Sequence, residues 1–122
     1  MYKDFTYGAD ISSLLAVEEL GGTFTSDSGE KQELFEILKS NGFNLARIRL
    51  FVDPKSNKGV SYGAGHNDLE TALTLAKRAK DHDFKVLLNL HYSDFWADEN
   101  HQTLPKAWAK LDFADLEYQV YA

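Results

Sequence analysis

The sequence predicts an α/β domain built on parallel strands, and three observations carry the prediction. Apolar runs with period-two alternation recur at residues 7–15, 43–52 and 84–96, separated and followed by segments with helical spacing. The resulting order is β-α-β-α-β-α, and strands joined by helical crossovers run parallel. The segments SNGFNLARIRL and DHDFKVLLNLH echo one another, so residues 43–84 form one complete unit of a repeating plan.

YGADISSLL at residues 7–15 reads as a first strand and its exit, and GGTFTSDSG at 21–29 is a loop by composition. Residues 30–41 are expected to be helical, because Leu34, Ile37 and Leu38, with Phe35, form an apolar stripe. Asn41-Gly42 stops this helix, with Gly42 in a left-handed cap. In the second strand, FNLARIRLFV, Ala46, Ile48, Leu50 and Val52 share one face and Leu45, Arg47, Arg49 and Phe51 the other. Residues 53–65, with one proline and three glycines, form a long loop.

A helix then starts at Asn67 as cap, with Glu70 in the capping-box position and Leu69, Ala72, Leu73, Ala76 and Ala79 as its buried stripe. Lys77, Arg78 and Lys80 favour its C-terminal end. The third strand, FKVLLNLHYSDFW, sets Val86, Leu88 and Leu90 against Leu87, Asn89 and His91. Its carboxyl end turns polar and aromatic, as the rim of an α/β active site does. Residues 100–109 are a loop around Pro105. A further helix begins at Asp112, where Tyr118 and Tyr121 fall on one stripe.

The chain of 122 residues has the size of one small domain, and 43% hydrophobic content is ample for a core. A net charge of −6 with scattered basic residues excludes the footprint of a nucleic-acid or anionic-membrane binder. The absence of cysteine excludes disulfides. No apolar run approaches the roughly 20 residues of a membrane span, and MYKDFTYGAD lacks a signal-peptide pattern. The histidines His66, His82 and His101 share no face with one another or with His91, so no metal site is expected. GVSYGAGHND lacks the lysine and spacing of a phosphate loop.

In a barrel the aliphatic strand faces meet the helices, and Asp10, Arg47, Arg49, Asn89 and His91 line the interior. Interior arginines need carboxylate or ligand partners. Few carboxylates in these strands are placed to serve.

GADISSLLAVEELGG, NLARIRLFVDP and NLHYSDFWADENHQTLPKAW resemble, in collinear order, the family 53 glycoside hydrolases. The HYSDFWAD block is the most specific of these. The resemblance implies an endo-β-1,4-galactanase of the (β/α)8 TIM-barrel type, within the clan of retaining glycosidases. It also implies that residues 1–122 are the first three β/α units of a single barrel domain, incomplete at this length, since a full barrel needs about 250 residues. The family's acid/base and nucleophile glutamates follow the fourth and seventh strands, so no catalytic residue is expected in this chain. None of Glu18, Glu19, Glu30, Glu33, Glu36, Glu70, Glu99 or Glu117 is placed to serve. The isolated chain is expected to be inactive, because retention needs two carboxyl groups about 5–5.5 Å apart.

By the same resemblance, Arg47 matches the arginine that orients the nucleophile; the plainer reading is an interior salt bridge. His91, Asp94, Trp96, Asp10 and Arg49 are the substrate-binding candidates. His91 would hydrogen-bond near the reacting sugar, or be a satisfied structural histidine. Trp96 would cover the C–H face of a galactose ring, or pack its loop. Asp94 would accept sugar hydroxyls, or cap the loop. Asp10 would bind sugar or pair with Arg47 or Arg49, the pair being favoured. The partner is β-1,4-galactan or a galacto-oligosaccharide, with no cofactor, nucleic acid or membrane. The family implies an extracellular or cell-surface address.

Two other readings compete with this one. A non-catalytic carbohydrate-binding or scaffold piece would use Trp96 and His91 without hydrolysis. A doubly wound α/β protein would need strands apolar on both faces, against which Arg47 and Arg49 argue. Open strand edges further predict that residues 1–122 self-associate or require a longer chain for stability.

Overall fold

The computed structural model describes residues 5–62 and 66–121; the expected loop at 63–65, the N-terminal tetrapeptide and Ala122 lie outside these. Strands β1 (Gly8–Asp10), β4 (Leu45–Leu50) and β5 (Lys85–Leu90) form a parallel sheet in the order β1-β4-β5. Between them run α1 (Leu14–Glu19), the short hairpin strands β2 (Phe24–Thr25) and β3 (Lys31–Gln32), α2 (Leu34–Ser40) and α3 (Leu69–Asp81). After β5 come a 3-10 turn at Lys106–Trp108 and α4 (Phe113–Tyr121).

Each of the first three helices ends in the same way. In α1, α2 and α3 the residue after the cap adopts a left-handed backbone: Gly21 at φ 81°, Gly42 at φ 84° and Asp83 at φ 64°. The next amide then bonds back to the carbonyl five residues earlier: Gly22 to Val17, Phe43 to Leu38 and Phe84 to Ala79. This Schellman stop satisfies orphan carbonyls and swings the chain into the following segment. It explains why SNGF and DHDF echo one another. Gly42 does this at no steric cost, whereas Asp83 has to accommodate a Cβ there.

Register follows from the pairing. Asp10 lies beside Arg47, and Arg47 beside Leu87; Ile48 lies beside Leu88 and Arg49 beside Asn89. The faces fall as the alternation requires. Ala46 and Ile48 are fully buried with Phe35, Leu75, Ala79 and Phe84 in the core under the helices. The arginines lie on the other face. A fully buried Phe or Leu contributes about 1.5–3 kcal/mol, so this cluster dominates the stability of the sheet.

Four expectations are corrected. The N-terminal strand is followed by α1, a helix too short for its periodicity to show. The loop at 21–29 and the start of the 30–41 helix instead form the β2–β3 hairpin, turned by Gly29 at φ 82° with the Ser26 amide donating to the Glu30 carbonyl at 2.9 Å. The helix proper starts at Leu34, where the Glu33 carboxylate caps the amides of Phe35 and Glu36. Asp68, not Asn67, caps α3 through the Thr71 amide at 3.0 Å. Asn67 is instead fully buried, its side-chain amide donating to the Ser12 carbonyl at 2.8 Å while its backbone carbonyl accepts from the Phe51 amide. The buried stripe of α3 is Ala72, Leu75 and Ala79; Leu69 and Leu73 are exposed. Asp112 does cap α4, accepting from the Asp115 amide at 2.9 Å.

One guanidinium ties the helical layer together. Arg78 of α3 forks onto Glu18 of α1 at 2.7 and 2.8 Å and lies 2.6 Å from the Glu33 cap of α2. Its pKa is raised, chiefly by the bonds to Glu18, which outweigh partial burial, with help from Glu33.

Candidate active site

The strand ends gather the polar residues of the interior face. Asp10 ends β1, and its Oδ2 accepts from Arg47 Nη1 at 2.9 Å. Arg49 Nε faces the same oxygen at 3.5 Å, and this buried N–H has no hydrogen-bond partner among the described residues. Asp10 Oδ1 accepts from the Ser12 amide at 3.0 Å, and the Ser12 hydroxyl accepts from the Arg49 amide at 2.9 Å. Asp10 thus faces both arginines, the arrangement of the pairing alternative that the sequence offered for it. Partial burial pushes its pKa up, but hydrogen bonds from Ser12 and the charges of Arg49 and Arg47 outweigh this and hold it below the usual range.

His91 follows β5 and packs on Phe51, with ring centroids 4.5 Å apart. Its pKa is lowered, first by burial and then by Arg49 and Arg47, with Asp10 opposing. The neutral ring is therefore favoured. Asn89 Nδ2 sits 3.1 Å from His91 Nε2. With the amide donating, Nε2 accepts and Nδ1–H remains for another acceptor. Tyr92, at φ 49°, turns the chain out of the strand into the loop above.

Trp96 stands on that loop. The Arg49 guanidinium lies over its ring at 4.4 Å, and Phe51 and His91 meet it edge-on. The indole still exposes 43% of its surface. Asp10, Arg47, Arg49, His91 and Trp96 thus form one continuous cluster.

Asp94 is placed differently. It is buried, with Oδ1 accepting from the Asp53 amide at 3.0 Å and Oδ2 from the Lys106 amide and ammonium, both at 2.8 Å. Lys106 Nζ also reaches the carbonyls of Lys55 at 2.7 Å and Asp53 at 3.2 Å. This clasp joins the loop after β4 to the loop after β5. The geometry is that of the loop-capping alternative for Asp94. The hydrogen bond to Asp94 raises the Lys106 pKa against a small desolvation, aided by the charges of Asp94 and Asp53.

Ser12, Phe51 and Lys106 were not named as site residues from the sequence, and Asn89 was placed on the interior face without a role. Ser12 shares the parity of Asp10, and Phe51 that of Arg49, which is the signal that would have found them. The Lys106 contacts depend on loop closure and carry no local signal. Chemically, the cluster holds two cations against a single, fully engaged carboxylate. It can receive an anionic group and hydroxyls, and it contains no pair of free carboxylates.

The glycosyl hydrolase family 53 model matches residues 6–122. The chain belongs to glycosyl hydrolase family 53. It is 45% identical to an endo-β-1,4-galactanase of Bacillus subtilis over 121 residues, 99% of this chain and 28% of that protein. It is 46% identical to a probable arabinogalactan endo-β-1,4-galactanase A of Aspergillus terreus over 93% of this chain and 30% of that one. Superposition on the family 53 catalytic domain of Ignisphaera aggregans gives a TM-score of 0.93 at 42% identity, covering 97% of this chain and 33% of that domain. One of two fungal β-1,4-galactanase structures gives 0.81 at 35% identity, covering 95% of this chain and 32% of its own. The family 53 chain therefore spans about a third or less of the relatives it matches, and its sheet and helices are the opening β/α units of their TIM barrel.

Proposed function

We propose that this chain is the N-terminal portion of a single (β/α)8 domain that hydrolyses internal β-1,4-galactosidic linkages of (arabino)galactan with retention. The observation that carries the reading is the joint placement of Arg47, Asp10, Arg49 and His91 at the strand ends of a family 53 fold. Both catalytic glutamates would come from later strands, and residues 1–122 alone would release no sugar. Arg47 has its side chain 42% exposed, with one terminal nitrogen on Asp10. Its remaining donors would hold the nucleophile carboxylate ionised and oriented. Arg49 would fix Trp96, and neutral His91 would donate through Nδ1–H to a sugar hydroxyl near the scissile bond. Asp10 would keep both arginines in place, and Asp94 would support the substrate-facing loop. The two relatives are named for galactan or arabinogalactan hydrolysis, and a polymer of that size is met outside the cell, so an extracellular or cell-surface address fits. Self-association of the isolated chain follows from the open edges of β1 and β5.

A graft tests this reading. Residues 2–122 replace the matching segment of the Bacillus subtilis relative, and reducing-sugar release from β-1,4-galactan is measured. An active graft, beside an inactive isolated chain, is the expected result. A folded but inactive graft, or sugar release by the 122-residue chain alone, would overturn the proposal.

A further inference from the structure

A cavity of about 630 Å³ lies between the loops after β4 and β5, lined among others by Tyr62, Phe95, Trp96, His101, Leu104 and Lys106. Small-ligand sites run from about 300 to 1,000 Å³, so one sugar ring fits. Neither Asp10, Arg47, Arg49 nor His91 lines it. Trp96 belongs to both places, because Arg49 lies over its ring on the strand-end side. The indole therefore borders both the candidate active site and this cavity.

The lining dictates the chemistry of the occupant. An ammonium has three donors, and Lys106 directs its own to Asp94, Lys55 and Asp53. No unspent lysine donor is left here for a phosphate or carboxylate. Asp94 and Asp98 add negative charge to the wall, which disfavours an anion further. Phe95 and Tyr62 meet edge-to-face at 5.4 Å and are apolar surfaces for a ring. His101 Nδ1 donates to Asp98 at 2.9 Å, so in the neutral ring Nε2 accepts from a hydroxyl. A ligand with an apolar face and a hydroxyl-rich edge, carrying no charge, meets all of these conditions.

We propose that this cavity binds one galactosyl residue of the polymer outside the strand-end site, with Phe95 and Trp96 as apolar walls and His101 as a hydroxyl partner. The proposal rests on the galactanase reading above and deepens it: the chain adds a substrate-length sensor to the parts that support cleavage.

The test uses the active graft with Phe95→Ala or Tyr62→Ala, each of which removes an apolar wall of this cavity alone. Steady-state kinetics are compared on a short galacto-oligosaccharide that reaches only the strand-end site and on long galactan. Each folded variant is expected to raise KM for the long substrate about tenfold, with kcat and the short-substrate KM little changed. An unchanged long-substrate KM in both variants, or an equal rise for both substrates, would overturn the cavity assignment while leaving the galactanase reading intact. An inactive graft with Phe95 and Tyr62 in place would instead overturn that reading, and this proposal with it.

Discussion

β4 and β5 are neighbours with nearly the same alternation, LARIRL and KVLLNL, and they meet different fates. Ala46 and Ile48 of β4 are fully buried, while Leu88 and Leu90 of β5 each leave 46% of their surface exposed. Ile48 and Leu88 are direct register partners. α3 packs on both strands, but among the described residues β4 has strands on either side and β5 on one only. α4 buries none of its residues, and Phe113 and Tyr121 are more than four-fifths exposed. An apolar face in a strand therefore specifies a requirement for cover, and whether the requirement is met depends on other elements.

The comparison is broken most sharply by core truncation. Phe35→Ala is expected to cost about 3–5 kcal/mol, enough to abolish a cooperative urea transition. Leu88→Ala, at the open strand, should cost well under half of that. Equal losses would mean that self-association covers the Leu88 face as well as the strand edge, which the concentration dependence of the transition would reveal.

On the interior face, Arg47→Ala in the graft is expected to lower kcat/KM on the order of 100-fold, the cost of removing a preorganised donor at a charged centre. A change in urea midpoint without a change in kcat/KM would assign Arg47 to stability alone.

A smaller effect comes from Asp10→Asn, which leaves the mostly buried Arg49 without its counter-charge at about 1–3 kcal/mol. The pH signature has a definite sign. The folded pKa of Asp10 lies below the unfolded carboxylate value of about 3.9. Its contribution is complete above that value and is lost as pH falls through the lower folded value. The variant should therefore show a flatter acid limb in a stability–pH profile. An unaltered limb would remove Asp10 from the electrostatic account.

Least is expected of Asp83→Gly at the end of α3. Relief of a left-handed aspartate should stabilise by about 0.5–1 kcal/mol, partly offset by loss of the exposed pair with Lys39. A destabilised variant in thermal melts would show that the pair outweighs the backbone.

The parallel order, the two-faced strands and the left-handed stop at Gly42 were legible because each is written in spacing within one segment. The interior cluster was legible as a list, since Arg47 and Arg49 alternate onto one face of their strand and Asp10 and His91 fall on the matching faces of its neighbours. What escaped was what depends on meeting a distant residue. Asn67 resembles a helix cap and is instead a buried tie to Ser12, 55 residues away. Leu69 and Leu73 fit a helical stripe as well as Leu75 does, and only the placement of α3 on the sheet chooses between them. Asp94 offered two readings that no spacing separates, and the clasp it forms depends on the distant Lys106.

Trp96 has one further consequence, and it is optical. The chain holds two tryptophans, and the second, Trp108, lies away from the cluster beside Tyr92 at 6.4 Å. With Trp108 replaced by phenylalanine, all indole emission would originate from the ring that touches both Arg49 and His91. A charged imidazole quenches a neighbouring indole more than a neutral one does. The emission intensity would therefore trace the protonation of His91 across pH, and its wavelength would shift when sugar displaces water from the exposed part of the ring. The residue that borders both sites would report on both.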